Sequence, residues 1–437
     1  MSARPTQVSI RTYQVGFGDC FLFSVGYDDG GERHLLFDFG SMGQPHGAAN
    51  RMSEVADDIA ERSGGKLTAV IATHRHKDHI SGFATTAKGR GTGAVIAGLK
   101  PELIVQPWTE DPKLPVNAKG PALAKLPKAV RGLAAVTTSL QSMHAVAGGV
   151  VAESRRSRHF SPALKRQLSF IGEDNIKNAS AVRNLMAMAP NEYLHFGKRS
   201  GLEALLPGVR VHVLGPPTVK QHAEVSRQEP RNPDEFWHLQ ALSLSAAGPA
   251  AAGAAGATEK GGALFPRHVA ARPPNVPVRA RWLVHEARQV RGEQLLQLVR
   301  ALDNAMNNTS LILLLEIGKK AFLFPGDAQW ENWQYALSKP EVVALLARVN
   351  VYKVGHHGSL NATPKTLWNT FDNRSKTKRR GRLVSLMSTL GGHHGHEDRD
   401  TEVPRRTLVN ALRRETDLVD TEAFEHDAWF EDTVVKV

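Results

Sequence analysis

The stretch VIATHRHKDHISGF, residues 70–83, constrains this chain more than any other part of it. The preceding residues, KLTAVIATH, read as a buried strand, and His74, His76, Asp78 and His79 stand at its C-terminal end. Side chains two apart in an extended segment project to the same side, so His74 and His76 are spaced to share one cation. Asp78 and His79 follow in a turn and are placed for a second cation a few ångströms away. Imidazole and carboxylate without thiolate suit zinc, manganese or iron. A solvated, inert His-rich loop is the plain alternative, but it leaves four ligand-type residues directly after a buried strand unexplained.

The flanking sequence predicts an α/β layered fold. QVSIRTYQVG, DCFLFSVGY and RHLLFDFGS read as strands, and ANRMSEVADDIAERSG has helical spacing and ends at a glycine. LKPELIVQPW and VRVHVLGPP are further strands, and TSLILLLEIG with KAFLFPGD makes a hairpin turning at Gly318. VNVYKVGHHGS and RLVSLMSTLGGHHGH again end strands in histidines, so several apolar strands deliver ionisable residues to one edge. We expect one domain over 1–437, with insertions at 111–204 and 220–300 and an Ala/Gly-rich linker at 246–263. The apolar stripe over residues 280–307 predicts a packing helix.

Composition narrows the function classes. One cysteine, Cys20, excludes an internal disulfide and a Cys-based zinc finger, and it fits a reducing compartment. The opening MSARPTQVSI has no signal-peptide core, and SLILLLEIG is too short to cross a bilayer, so the expected location is cytoplasmic, without membrane insertion. The formal charge of +12 suits a polyanionic partner, since each neutralised phosphate releases counterions. Much of it lies in two segments, Arg155–Arg166 and Arg374–Arg382. A solvated basic loop is the plain reading of both.

HRHKDH resembles the HxHxDH signature of the metallo-β-lactamase superfamily. QVGFGDCFLF, LLFDFGS, HRHKDHISGF, NNTSLILLLEIGKKAFLFPGD and KVGHHGS also stand in the order found in the soluble hydrolase domain of the ComEC/Rec2 family. The resemblance covers residues 8–110 and 205–425. Phosphorylcholine esterases of the same broad group share much of the pattern. The chain departs from it at Phe17, where the family has Gln, and at Phe83, where it has a second Gly.

The resemblance implies an αββα four-layer sandwich of the metallo-β-lactamase type, with insertions, holding two divalent metal ions, zinc or alternatively manganese. It places His74 and His76 on the first metal, Asp78, His79 and either His356 or His357 on the second, and Asp327 between them. Asp38 would buttress the metal loop by hydrogen bonding; Asp19 is placed either to brace that loop or simply to form a turn. Family members often carry a further first-metal histidine; His144, His159, His195 and His212 are candidates without a motif. His396 is the best counterpart of a family histidine near the substrate, ahead of His393 and His394. The implied catalytic set is Asp78, His356, His357 and His396. Asn307, Asn308 and Ser310 are expected to satisfy backbone groups and Trp330 and Trp333 to pack; the family pattern points Lys353 toward the site edge, with an exposed strand lysine the plain expectation.

The expected function is a metal-dependent phosphodiesterase or nuclease acting on nucleic acid, with water activated between the two metals. A hydrolase of a small ester (a phosphocholine ester, nucleotide, lactone or thioester) is the alternative. A nucleic-acid-binding or assembly protein with a structural metal is a third reading.

Overall fold

The computed structural model describes residues 3–45, 47–113, 120, 178–223, 306–393, 402–424 and 428–437. Alternating and continuous apolar runs build two mixed sheets. The first contains β1 (Pro5–Tyr13), β2 (Cys20–Tyr27), β3 (Glu32–Phe39), β4 (Ala69–Ile71), β5 (Leu103–Pro107), β6 (Asn191–Leu194) and β13 (Phe430–Lys436), in the order β13-β1-β2-β3-β4-β5-β6. The second contains β7 (Val209–Gly215), β8 (Ile312–Ile317), β9 (Lys320–Phe324), β10 (Val351–Lys353), β11 (Val384–Met387) and β12 (Asp417–Asp420), in the order β12-β11-β10-β9-β8-β7. Strands β3 to β6 run parallel, as do β9 to β12, while β13-β1-β2-β3 and β7-β8-β9 are antiparallel.

The sheets pack face to face through one apolar cluster. Phe23 and Phe37 of the first sheet meet Phe322 and Phe324 of the second, and the Phe37 and Phe324 rings stack at 4.2 Å. On the far face of the first sheet lie α1 (Arg51–Arg62), α3 (Thr92–Gly98) and α4 (Ala179–Met188), which bury Val55, Ile59, Ile96 and Leu185. On the far face of the second lie α5 (Trp330–Leu337), α6 (Pro340–Ala347), α7 (Lys365–Thr370) and α8 (Arg406–Glu415). Apolar residues at helical spacing give each helix one face to bury, which is why the sheets sit inside and the helices outside. Residues 178–204, which the family resemblance leaves in an insertion, contribute α4 and the edge strand β6.

The expected strands and the first helix form near their expected positions, and Gly318 (φ 58°) turns the β8–β9 hairpin. Trp333 is fully buried and Trp330 nearly so, as packing residues. Asn308 has a side-chain partner: its amide donates to the Glu331 carboxylate at 2.7 Å. Lys353 is not an exposed strand lysine: it is 2% exposed and lies between the sheets' ends. Its place follows from β10 being a central strand, flanked by β9 and β11. The linker at 246–263, all but the last two residues of the helix expected at 280–307, and the basic segment Arg155–Arg166 lie outside the described residues.

The parallel strands give the molecule two different ends. His74, Asp327 and His356–His357 follow the C-terminal ends of β4, β9 and β10. The basic segment Arg374–Arg382 precedes β11 and so stands at the opposite end. Arg374 pairs with Glu415 and Arg382 with Asp417, each at 2.7 Å, so both arginines anchor the loop. Lys376, Lys378, Arg379 and Arg380 between them are exposed.

Candidate metal centre

The site forms where the two sheets meet at their C-terminal ends. After β4 the chain stays extended through His76 (φ −63°, ψ 153°) and then turns into α2 (Lys77–Ile80), which carries Asp78 and His79. Glycine makes this turn possible. A Cβ on Gly40 would lie 2.5 Å from Asp78 C and His79 N, and one on Gly18 would lie 2.8 Å from the Asp78 carbonyl oxygen. The glycines of the VGFGD and FDFG stretches therefore let two backbones press against the metal loop.

The second sheet brings the remaining groups. Gly326 (φ 53°) ends β9 against Thr73 and delivers Asp327. After β10, His356 (φ 42°) and His357 (φ 50°) are both left-handed, followed by Gly358 (φ 80°). A non-glycine residue in this region costs about 1–3 kcal/mol, and such strain gathers at functional sites. The His356 amide donates to Asp327 Oδ1 at 3.1 Å, which fixes the turn against the aspartate.

Asp327 Oδ2 is the centre of the arrangement. It lies 3.0 Å from His79 Nε2, 3.8 Å from His356 Nε2, 3.9 Å from His357 Nε2 and 4.0 Å from His74 Nε2. His357 Nε2 is 3.0 Å from Asp78 Oδ2, and His74 Nε2 is 3.0 Å from His76 Nδ1. Two donors held about 2.0–2.1 Å from a tetrahedral zinc stand about 3.3 Å apart, so these separations fit a shared cation. Asp78, His79, Asp327 and His357 alone place four buried ligand atoms within 4.8 Å of one another. His79 Nε2, Asp327 Oδ2 and Asp78 Oδ1 are buried and make no hydrogen bond. Leaving such atoms dry and unfilled is costly, and a cation would satisfy all three.

Outer groups orient the inner ones. Asp38, at the end of β3 with φ 53°, accepts from the Thr73 amide and hydroxyl at 2.7 Å each and from His79 Nδ1 at 2.8 Å. With Nδ1–H so engaged, Nε2 turns its lone pair inward. His357 Nδ1 donates to the Ser388 carbonyl at 2.9 Å, which likewise aims its Nε2 at Asp78. Asp19, Asp38 and His79 form a second buried group able to hold a cation. Here Lys353 already supplies one, pairing its ammonium with Asp19 and reaching Asp327 Oδ1 at 3.5 Å and the Gly326 carbonyl at 3.2 Å.

Electrostatics point the same way. Four buried carboxyl groups (Asp19, Asp38, Asp78 and Asp327) surround one buried lysine, Lys353, an excess of acidic groups that a cation would offset. Burial disfavours a charged His79 ring, but Asp327, Asp38, Asp78 and Asp19 outweigh it and hold the imidazolium well above its usual range. Burial also opposes ionisation of Asp78 and Asp327, yet His79 foremost keeps both below the usual carboxylate range. Burial pushes His74 well down and His356 down to about 4. A divalent ion at the cluster would compete with a proton for the His79 ring.

Of the seven expected metal-ligating residues, the structure brings His74, His76, Asp78, His79, Asp327 and His357 together in the buried cluster. It sets His356 at the rim, with a quarter of its side chain exposed and Nδ1 2.9 Å from the Ser359 hydroxyl. His396 and His394 lie outside the described residues, as do His144 and His159. His195 Nδ1 bonds its neighbour's carbonyl, and His212 bonds Glu316 at 2.7 Å. His393 reaches the site: its ring lies 5.0 Å from Phe17, whose ring is 4.4 Å from His357. Sequence reasoning missed the buried Lys353–Asp19 pair and the Arg75–Glu110 pair beside the metal loop. The position of Lys353 three residues before His356, on a strand with apolar neighbours, was the available signal for the first. No protein-family model matches the chain, and no curated protein matches it either.

Proposed function

We propose that the chain is a metallo-β-lactamase-fold hydrolase, related to the ComEC/Rec2 hydrolase domain, that cleaves phosphodiesters with two divalent metal ions, most simply zinc. The convergence of four imidazole nitrogens on Asp327 Oδ2 carries this reading. His74 and His76 would hold one ion and Asp78, His79 and His357 the other, with Asp327 within reach of both sets. Bound there, the ions would supply Lewis acidity and activated water at neutral pH. The chain's own groups orient and exclude: Asp38 and the Ser388 carbonyl fix the rings of His79 and His357, and the glycine-lined backbones keep bulk water from the ligands. His356, a quarter exposed at the rim, would meet the substrate. Its ring is neutral at neutral pH, so Nε2 acts there as a hydrogen-bond partner and not as a proton store.

A strand of nucleic acid is the substrate that the overall charge favours. One observation favours a short diester instead: the basic loop Arg374–Arg382 stands at the opposite end of the second sheet from the metal centre. Elemental analysis and turnover test both readings. We expect two metals per chain, hydrolysis of bis(p-nitrophenyl) phosphate, and loss of both metal and activity in Asp78→Ala. Less than one metal per chain, or turnover that survives Asp78→Ala, would overturn the assignment. Comparison of labelled DNA and RNA with dinucleotides then separates the long substrate from the short one.

A further inference from the structure

Lys353, the last residue of β10, is buried in the middle of the second sheet, where an ammonium is costly without well-placed partners. Its Nζ pairs with Asp19 Oδ2, donates to the Gly326 carbonyl at 3.2 Å and lies 3.5 Å from Asp327 Oδ1. An ion pair with Asp19 needs neither of the other two contacts, and both fall on the turn that delivers Asp327. Register sets this up. Strand β10 runs parallel to β9, with Val351 beside Phe322 and Tyr352 beside Leu323. Lys353 therefore comes level with the end of β9, and its side chain spans the turn beyond to the carboxyl group. The two oxygens of Asp327 consequently differ. Oδ1 faces Lys353 and accepts from the His356 amide at 3.1 Å, so both neighbours come from the end of β10. Oδ2 makes no hydrogen bond, and it is the oxygen on which the imidazole nitrogens converge.

We propose that Lys353 is a positioning residue for the metal centre: with the His356 amide it reserves Asp327 Oδ1, leaving Oδ2 as the single oxygen that Asp327 offers to the ions. The inference rests on the two-metal reading and assigns a residue that would touch neither ion. The terminal torsion of an aspartate is broad, so an unrestrained carboxylate turns readily and can present both oxygens to one ion. Held at Oδ1, Asp327 cannot do so without giving up its contacts with Lys353 and the His356 amide. Asp78 lacks this second hold, since its Oδ1 makes no hydrogen bond. A buried lysine thus fixes how one ligand is presented, as a hydrogen-bonded outer partner does for a ligating histidine.

Zinc affinity, measured by competition with a chromogenic chelator, and the visible spectrum of the cobalt-substituted chain test this without turnover. Lys353→Met is expected to weaken zinc binding about 10–100-fold, the range for loss of an outer partner of a metal ligand. That change also strands the Asp19 carboxylate, so a second variant, Lys353→Met with Asp19→Asn, removes the stranded charge. If Lys353 serves only to pair with Asp19, the double variant regains wild-type zinc affinity along with its stability. If Lys353 positions Asp327, zinc affinity in the double variant stays at least about tenfold below wild type. Absorption per bound cobalt then falls as well, because Asp327 adds its second oxygen and tetrahedral cobalt absorbs more strongly than five- or six-coordinate cobalt. A fully loaded wild type beside a double variant of unchanged affinity and spectrum would overturn this inference alone. Less than one zinc per wild-type chain would overturn the two-metal reading and this inference with it.

Discussion

At the scale of single residues, Asp38 and Lys353 do for the centre what no ligand does. Asp38 makes three hydrogen bonds to Thr73 and His79, so Asp38→Asn would swap one acceptor for a donor and misdirect the His79 ring. We expect zinc affinity to fall about 10–100-fold, as second-layer changes do, measured by competition with a chromogenic chelator. Lys353→Met would strand the Asp19 carboxylate in the interior. Breaking a buried pair from one side costs about 3–5 kcal/mol, so urea denaturation of the metal-free protein should show a loss of that order. Asp19→Asn added to Lys353→Met should recover part of it, because the unpaired charge is then gone; no recovery in the double-mutant cycle would refute the pairing. The cluster His74, His76, Asp78 and His79 was legible because the ligands are local. Lys353 was not, since its burial depends on β10 lying centrally in a sheet assembled from distant strands.

At the scale of elements, β7, β8 and the end of α6 share an ionic cluster away from the candidate metal centre. Glu316 on β8 meets His212 at 2.7 Å, Arg348 at 2.9 Å and Arg210 at 3.5 Å. Burial opposes its charge, but these partners, His212 first, hold its carboxyl below the usual value of 4.5. A carboxyl lowered on folding adds stability above its unfolded pKa and loses it as pH falls through the folded one. Glu316→Gln should therefore be less stable at pH 7, by up to about 1 kcal/mol given the exposed arginines, and should lose less stability than wild type on acidification below pH 4.5. Thermal unfolding across that range checks both statements. Strand positions were legible from apolar runs and turn glycines. The order of strands was not, because pairing joins β1 to β13 and β5 to β6 across hundreds or tens of residues.

At the scale of the whole molecule, charge and chemistry are segregated. The four residues of β11 span about 13 Å at 3.3 Å per residue, already beyond a Debye length of about 8 Å at physiological salt. Replacing Lys376, Lys378 and Arg380 together by glutamate should leave kcat/KM for a small phosphodiester within about twofold at physiological ionic strength. A larger fall would place those cations within reach of the reacting phosphate. Chelation should lower the melting temperature of the protein as purified, since a cation bound only by the folded chain stabilises it by mass action.

Asp78 and His357 touch across 279 positions of chain, and no part of the cluster on one sheet holds a full set of ligands alone. At about 5–20 residues per second, a ribosome needs roughly 15–55 s to pass from one to the other. During that interval the histidine loop has emerged without the aspartate and imidazole that complete it. Capture of ions there would thereby be tied to the last third of synthesis: loading would report that both sheets have closed on each other, and a nascent chain stopped before β10 would hold at best a weak, incomplete site.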